Sequence, residues 1–190
     1  MNYNELISNL KKELSSKIAP GPILDGIMFD YLEKFGNKYD HNHDLLMIGA
    51  LIGDIRIDEA RAMGDKSKHI ELAYAYAQEL FKKYSVPEED QKIISEVILT
   101  HHGGEQNYIE SKIYKNADNF KFLETRGCLH FFGAIYTEHT PEGLAQTVEI
   151  VKGKLKEKLD LTDLDEETIA IAEQLYNNNV AYLDEIIEYK

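Results

Sequence analysis

Apolar residues recur at helical spacing along nearly the whole chain. Ile7, Leu10 and Leu14 share one face of a first helix, which ends before residues 19–22. A second helix is predicted over 23–35 and stops at Gly36-Asn37. Asp44 is the expected cap of a third helix, 45–55, which is apolar nearly all round and hence buried. Residues 56–68 are polar and read as partly loop. A fourth helix, 69–84, carries Leu72, Ala73, Tyr76, Ala77 and Leu80 at helical spacing. Pro87 and the acids after it suit the positive end of the next helix. That helix carries Ile93, Ile94, Val97 and Ile98, reaches His101-His102, and is terminated by Gly103-Gly104. Another is predicted over 111–123, with Ile113, Ala117 and Phe122 inward. Thr140-Pro141-Glu142 opens one that runs to about residue 159, and Asp165 or Thr162 opens the last, 166–189. No alternating pattern persists, so the expected fold is an all-α, single-domain helical bundle over residues 1–190. Its core spans about 23–123, with helices of about 140–190 packed on it.

Composition narrows the partners. A chain of 190 residues, 43% hydrophobic and 29% charged, suits one soluble globular domain. The net charge of −13 argues against nucleic-acid polymers and anionic membranes as partners. Residues 155–190 hold ten acids against three bases, so the remainder is milder and leaves room for a local phosphate site. One cysteine, Cys128, allows no internal disulfide and suits a reducing compartment. The first residues are amphipathic and lack the apolar core of a signal peptide, and no apolar run approaches ~18 residues. These features point to the cytoplasm. The sequence leaves open whether the chain is a monomer or a homo-oligomer.

The candidate chemistry lies at helix ends. Asp54 follows the apolar third helix, His69 opens the fourth, and His101 and His102 end the one after it. Asp118 lies within the helix beyond. Separate helices can thus aim nitrogen and oxygen donors at one place. Buried carboxylates need a partner, and a cation bound by His and Asp is one solution. Such a mixed set suits Zn, Fe, Mn, Ni or Co better than Ca. Asp54 is otherwise a plain polar residue at a helix C-terminus, though the dipole disfavours it there. His69, His101 and His102 are otherwise ordinary helix-end histidines, and Asp118 otherwise caps or pairs with a cation. Arg56, Arg61, Lys66 and Lys68 flank Asp54 and His69. They read either as a phosphate-binding loop or as a solvated connector balanced by Asp58, Glu59 and Asp65. His41 and His43 read as an exposed turn, and His130 and His139 as packing or surface residues.

The segment from Leu45 to Asn119 resembles the HD-domain superfamily of metal-dependent phosphohydrolases. "ALIGDI" at 50–55 is similar to the family's "ALLHDI". "HIELAYAYAQELF" at 69–81, "ISEVILTHHGG" at 94–104 and "NADNF" at 116–120 follow in the family's order. Two positions depart from the pattern. Gly53 stands where the family has the His of His-Asp, and the early His is missing around residues 23–26, where Asp25 is the nearest candidate. The pair His43-Asp44 is not a substitute. It precedes the apolar run, and at 1.5 Å per residue Asp54 lies roughly 15 Å further on.

The resemblance implies one divalent transition metal ion at most, held by Asp54, His69, His101 or His102, and Asp118. It implies hydrolysis of a small phosphorylated ligand, a phosphate ester or nucleotide, with Asp54 at the reacting centre. Arg56, Lys66 and Lys68 would balance charge on the phosphate. An ion there supplies Lewis acidity, lowering the pKa of water and polarising a phosphoryl oxygen. Two other readings stand beside this one. The first is a non-catalytic HD-like module that binds a ligand or a partner protein. The second is a metal store or sensor.

Overall fold

A computed structural model of the chain describes residues 3–17, 21–138 and 143–188. Among these residues all regular structure is helical, and no helix is long and apolar enough to cross a membrane. The helices are α1 (Asn4–Leu14), α2 (Pro22–Gly36), α3 (His43–Gly53), α4 (Ile57–Ala62), α5 (His69–Tyr84), α6 (Glu88–Thr100), α7 (Ile109–Leu123), α8 (Thr125–Glu138), α9 (Gly143–Asp160) and α10 (Glu166–Glu188). A single 3₁₀ turn, Lys66–Lys68, precedes α5. The chain divides into two compact units. The first comprises Met1–Pro22 and Leu32–Lys115, the second Ile23–Tyr31 and Asn116–Lys190.

In the first unit α3 is the central rod. Every residue from Leu45 to Gly53 is buried. A helix apolar on all sides needs neighbours on all sides, and α3 has α1, α5 and α6 around it. It packs tightly on α6. A Cβ built on Gly49 would stand 2.4 Å from Cγ1 of Val97, so only a residue without a side chain fits there. Val97, Ile94 and Ile98 are fully buried on α6, each contributing about 1.5–3 kcal/mol by leaving water. Asn42 rather than Asp44 caps α3. Its side chain accepts from the Leu45 amide at 3.3 Å, while its own amide donates to Glu110 at 2.7 Å. The helix therefore starts two residues earlier than predicted, and Asp44 joins its first turn.

The connector 56–68 is more helical than its polarity suggested. Arg56 donates to Glu59 at 2.5 Å, Ala60 is fully buried, and the acids Asp58 and Glu59 stand at the favourable end of α4. Asp65 then holds the 3₁₀ turn, accepting from the Ser67 amide at 3.0 Å and its hydroxyl at 2.6 Å.

In the second unit α9 packs on both α8 and α10. The predicted opening of α9 at 140–142, and His139, lie outside the described residues. Asp165 starts α10 by accepting from the Thr168 amide at 2.6 Å. Helix α8 was not foreseen from the sequence. Glu124 accepts from the Arg126 and Gly127 amides and so opens it directly after α7. Gly127 is required there, because a Cβ would fall 1.8 Å from the carbonyl oxygen of Lys121.

The α3–α6 contact gives a direct check. Gly49→Ala should destabilise the protein by about 1–3 kcal/mol through overpacking against Val97. Adding Val97→Ala should return part of that loss. Paired thermal melts measure both, and an unchanged midpoint for Gly49→Ala would contradict the packing described.

Candidate metal centre

Three helix ends in the first unit converge on one spot. Asp54 directly follows α3, His69 is the first residue of α5, and His101 closes α6 with His102 behind it. The helices end where they do for local reasons. The chain leaves α3 at Asp54 with ψ near zero. After His102, Gly103 and Gly104 take φ of 121° and 112°, a region open to glycine at little cost. Asp54 and His69 are each 5% exposed, and His101 is fully buried.

The ring nitrogens face one another. His69 Nε2 lies 3.4 Å from His101 Nε2 and 3.3 Å from His102 Nε2. Asp54 Oδ1 lies 3.5 Å from His69 Nε2 and 3.8 Å from His101 Nε2. One donor from each of the four residues lies within 4.8 Å of all the others. The opposite sides of two rings are anchored. His69 Nδ1 donates to the Lys66 carbonyl at 2.7 Å, and His101 Nδ1 donates to the Ile98 carbonyl at 2.7 Å. A carbonyl only accepts, so both Nδ1 atoms carry hydrogen. Both Nε2 atoms then turn lone pairs toward the same small space, unless a proton or a cation sits between them.

This geometry fits a metal. Zinc binds imidazole nitrogen at about 2.0–2.1 Å, and a tetrahedron of that size has edges of about 3.3–3.4 Å. Two of the four distances above fall on that value, and the other two are slightly longer. Metal-binding histidines also commonly donate their second ring N–H to a backbone carbonyl, as His69 and His101 do here. Asp54, His69 and His101, which are buried, together with His102, which is partly exposed, could hold one metal ion.

The other residues singled out in the sequence are not among these four. Among those others is Asp118, expected as the second carboxylate. It lies fully buried in the second unit, where its carboxylate meets Lys158 at 2.7 Å and Lys121 at 2.6 Å. Burial pushes the Lys158 ammonium pKa down, and Asp118 opposes that shift. Arg56 stacks on the ring of Tyr76 at 4.0 Å and pairs with Glu59 at 2.5 Å and Glu13 at 3.7 Å. Lys66 and Lys68 are exposed in the turn just before His69.

Two contributors were not visible in the sequence reading. Tyr114 on α7 is fully buried, with its ring centroid 5.4 Å from that of His101. Glu96 on α6 accepts from the Asn107 and Tyr108 amides at 2.7 and 2.8 Å and from the Ser111 hydroxyl at 2.6 Å. It thereby fixes the far end of the loop that begins at His102. The signal for Tyr114 was Gly53 itself, since a glycine inside a buried helix implies a close neighbour.

No family model, curated protein or solved structure matches the chain.

Two outcomes follow from this arrangement. Zinc or cobalt should bind at one equivalent per chain, measured by elemental analysis after dialysis. An ion at a hundred times its Kd should raise the melting midpoint by about 5–10 °C, and a chelator should reverse the shift. Acid should loosen the loop after His102. Burial raises the Glu96 pKa, but hydrogen bonds from Ser111, Tyr108 and Asn107 outweigh it and hold the value below the ordinary 4.5. The stabilisation is thus present above that ordinary value and is lost as pH falls through the lower folded one. Glu96→Gln should remove this part of the acid transition in melts taken between pH 6 and pH 3.

Proposed function

We propose that this chain is an HD-like hydrolase that uses one divalent transition metal ion to cleave a small phosphate ester or nucleotide. The observation that carries the reading is the convergence on one spot of three imidazoles and one carboxylate, all but His102 buried. Asp54, His69, His101 and His102 would hold the ion. An ion so held supplies Lewis acidity toward water and a phosphoryl oxygen.

The chain's own groups have separable tasks in this reading. The carbonyls of Lys66 and Ile98 keep His69 and His101 in the tautomer whose Nε2 faces inward. Asp54 supplies the negative charge that favours a cation over a neutral guest. Lys66 and Lys68 stand exposed next to His69 in sequence and can draw a phosphate to that side. Arg56 is a weaker candidate for phosphate, since Glu59, Glu13 and the Tyr76 ring already engage its guanidinium.

A second reading rests on the donor count. Four protein donors complete a tetrahedron, and structural zinc sites are closed in this way, whereas catalytic ones keep a position for water. The chain would then store or sense a metal without turnover.

Assays with p-nitrophenyl phosphate and nucleoside phosphates, supplemented in turn with Mn, Co, Ni, Zn and Mg, separate the two. The hydrolase reading expects metal-dependent turnover that falls on the order of a hundredfold or more in Asp54→Asn, with the fold intact by circular dichroism. Lys66→Ala with Lys68→Ala should raise KM about tenfold while kcat holds. One bound ion with no turnover on any of these substrates would leave the closed site as the function.

A further inference from the structure

Tyr114 occupies an unusual place for a residue with no donor in the metal-binding group. It is among the largest fully buried side chains, and its ring lies against that of His101 with centroids 5.4 Å apart and planes tilted by 39°. The other end of the same ring reaches α3. A Cβ built on Gly53 would stand 2.3 Å from the Tyr114 hydroxyl oxygen, 3.0 Å from Cζ and 3.1 Å from Cε1. Gly53 immediately precedes Asp54. One rigid side chain therefore spans from the backbone beside the carboxylate donor to the ring of an imidazole donor. Both ends are in the same compact unit.

We propose that Tyr114 is a positioning residue of the metal centre, a spacer between Gly53 and His101 that sets the separation of the Asp54 and His101 donors. The inference rests on the metal-binding reading above. A phenol ring has two soft torsions and no internal flexibility, so its length is fixed by covalent geometry. Pressed between α3 and the end of α6, it keeps the two elements from closing further. The Asp54–His101 separation that it would set is 3.8 Å. The absence of a side chain at position 53 is then a requirement of the spacer, because nothing larger than hydrogen fits against the phenol.

Cobalt(II) reports both affinity and coordination through its visible spectrum. Wild-type protein should bind one Co(II). Gly53→Ala forces a methyl group against the phenol and should weaken Co(II) at least tenfold, with a changed spectrum. Adding Tyr114→Phe removes the atom at 2.3 Å but keeps the ring on His101. It should recover most of the lost affinity, while Tyr114→Phe alone stays within about threefold of wild type. Phe35→Leu, at another fully buried aromatic of the same unit, controls for lost stability and should leave the spectrum unchanged.

Wild-type-like Co(II) binding by Gly53→Ala would overturn the spacer, as would failure of the Phe change to rescue it. If Gly53→Ala does not fold, Tyr114→Leu carries the test. It removes the spacer and inserts nothing, so an unaltered spectrum and affinity would overturn the proposal. Absence of any Co(II) signal in the wild type would instead sink the metal-binding reading, and the spacer with it.

Discussion

Lone pairs on two nitrogens do not share a buried space of 3.4 Å comfortably, and the first unit is organised around that conflict. His69 and His101 have committed their Nδ1 hydrogens to backbone carbonyls, so both rings turn the same face inward. His102 and Asp54 crowd the same point. The burial of Asp54, His69 and His101 makes the conflict worse, because a low dielectric strengthens each repulsion between them. A positive charge at the centre converts these repulsions into attractions. The carbonyls of Lys66 and Ile98 act one step further out, since they determine which nitrogen faces the centre.

The scaffold that brings these groups together depends on small residues in α3. Gly49 lets Val97 of α6 approach to a distance no other residue would tolerate, and Gly53 leaves space for Tyr114. The two glycines lie four residues apart, so both open on one side of the same helix. Each costs helix stability relative to alanine, by about 1 kcal/mol. Close packing of fully buried Val97, Ile98 and Tyr114 offsets that cost. The helix that the sequence marks by its apolar run is therefore also tightly constrained by its neighbours.

Much of this was legible before any coordinates. The 3.6-residue period marked most of the helices, and the all-apolar run 45–52 marked the buried rod. Asp54, His69, His101 and His102 stood out because polar groups at the ends of buried helices have few uncostly fates. Part of what escaped notice depended on contacts between segments distant in sequence. Asp118 carries a plausible ligand's chemistry, but its partners are set by Lys158, 40 residues away. For Arg56 the sequence offered Glu59 as a local partner beside the phosphate reading, but not Glu13 or the ring of Tyr76. Asn42 displaced Asp44 as the cap of α3 because Glu110 fixes its amide. Helix α8 was missed because its start depends on Glu124 reaching forward and on a glycine that lets its backbone touch that of α7.

His101 and His102 are neighbours in the chain, and both hang from the last turn of α6. Half of the donor group is therefore tethered to a single peptide link, followed at once by two glycines with left-handed backbone. Fraying of that one turn would withdraw two nitrogens together. An ion would then be left on Asp54 and His69 alone, and the strength with which α6 holds its final turn would set how long it stays.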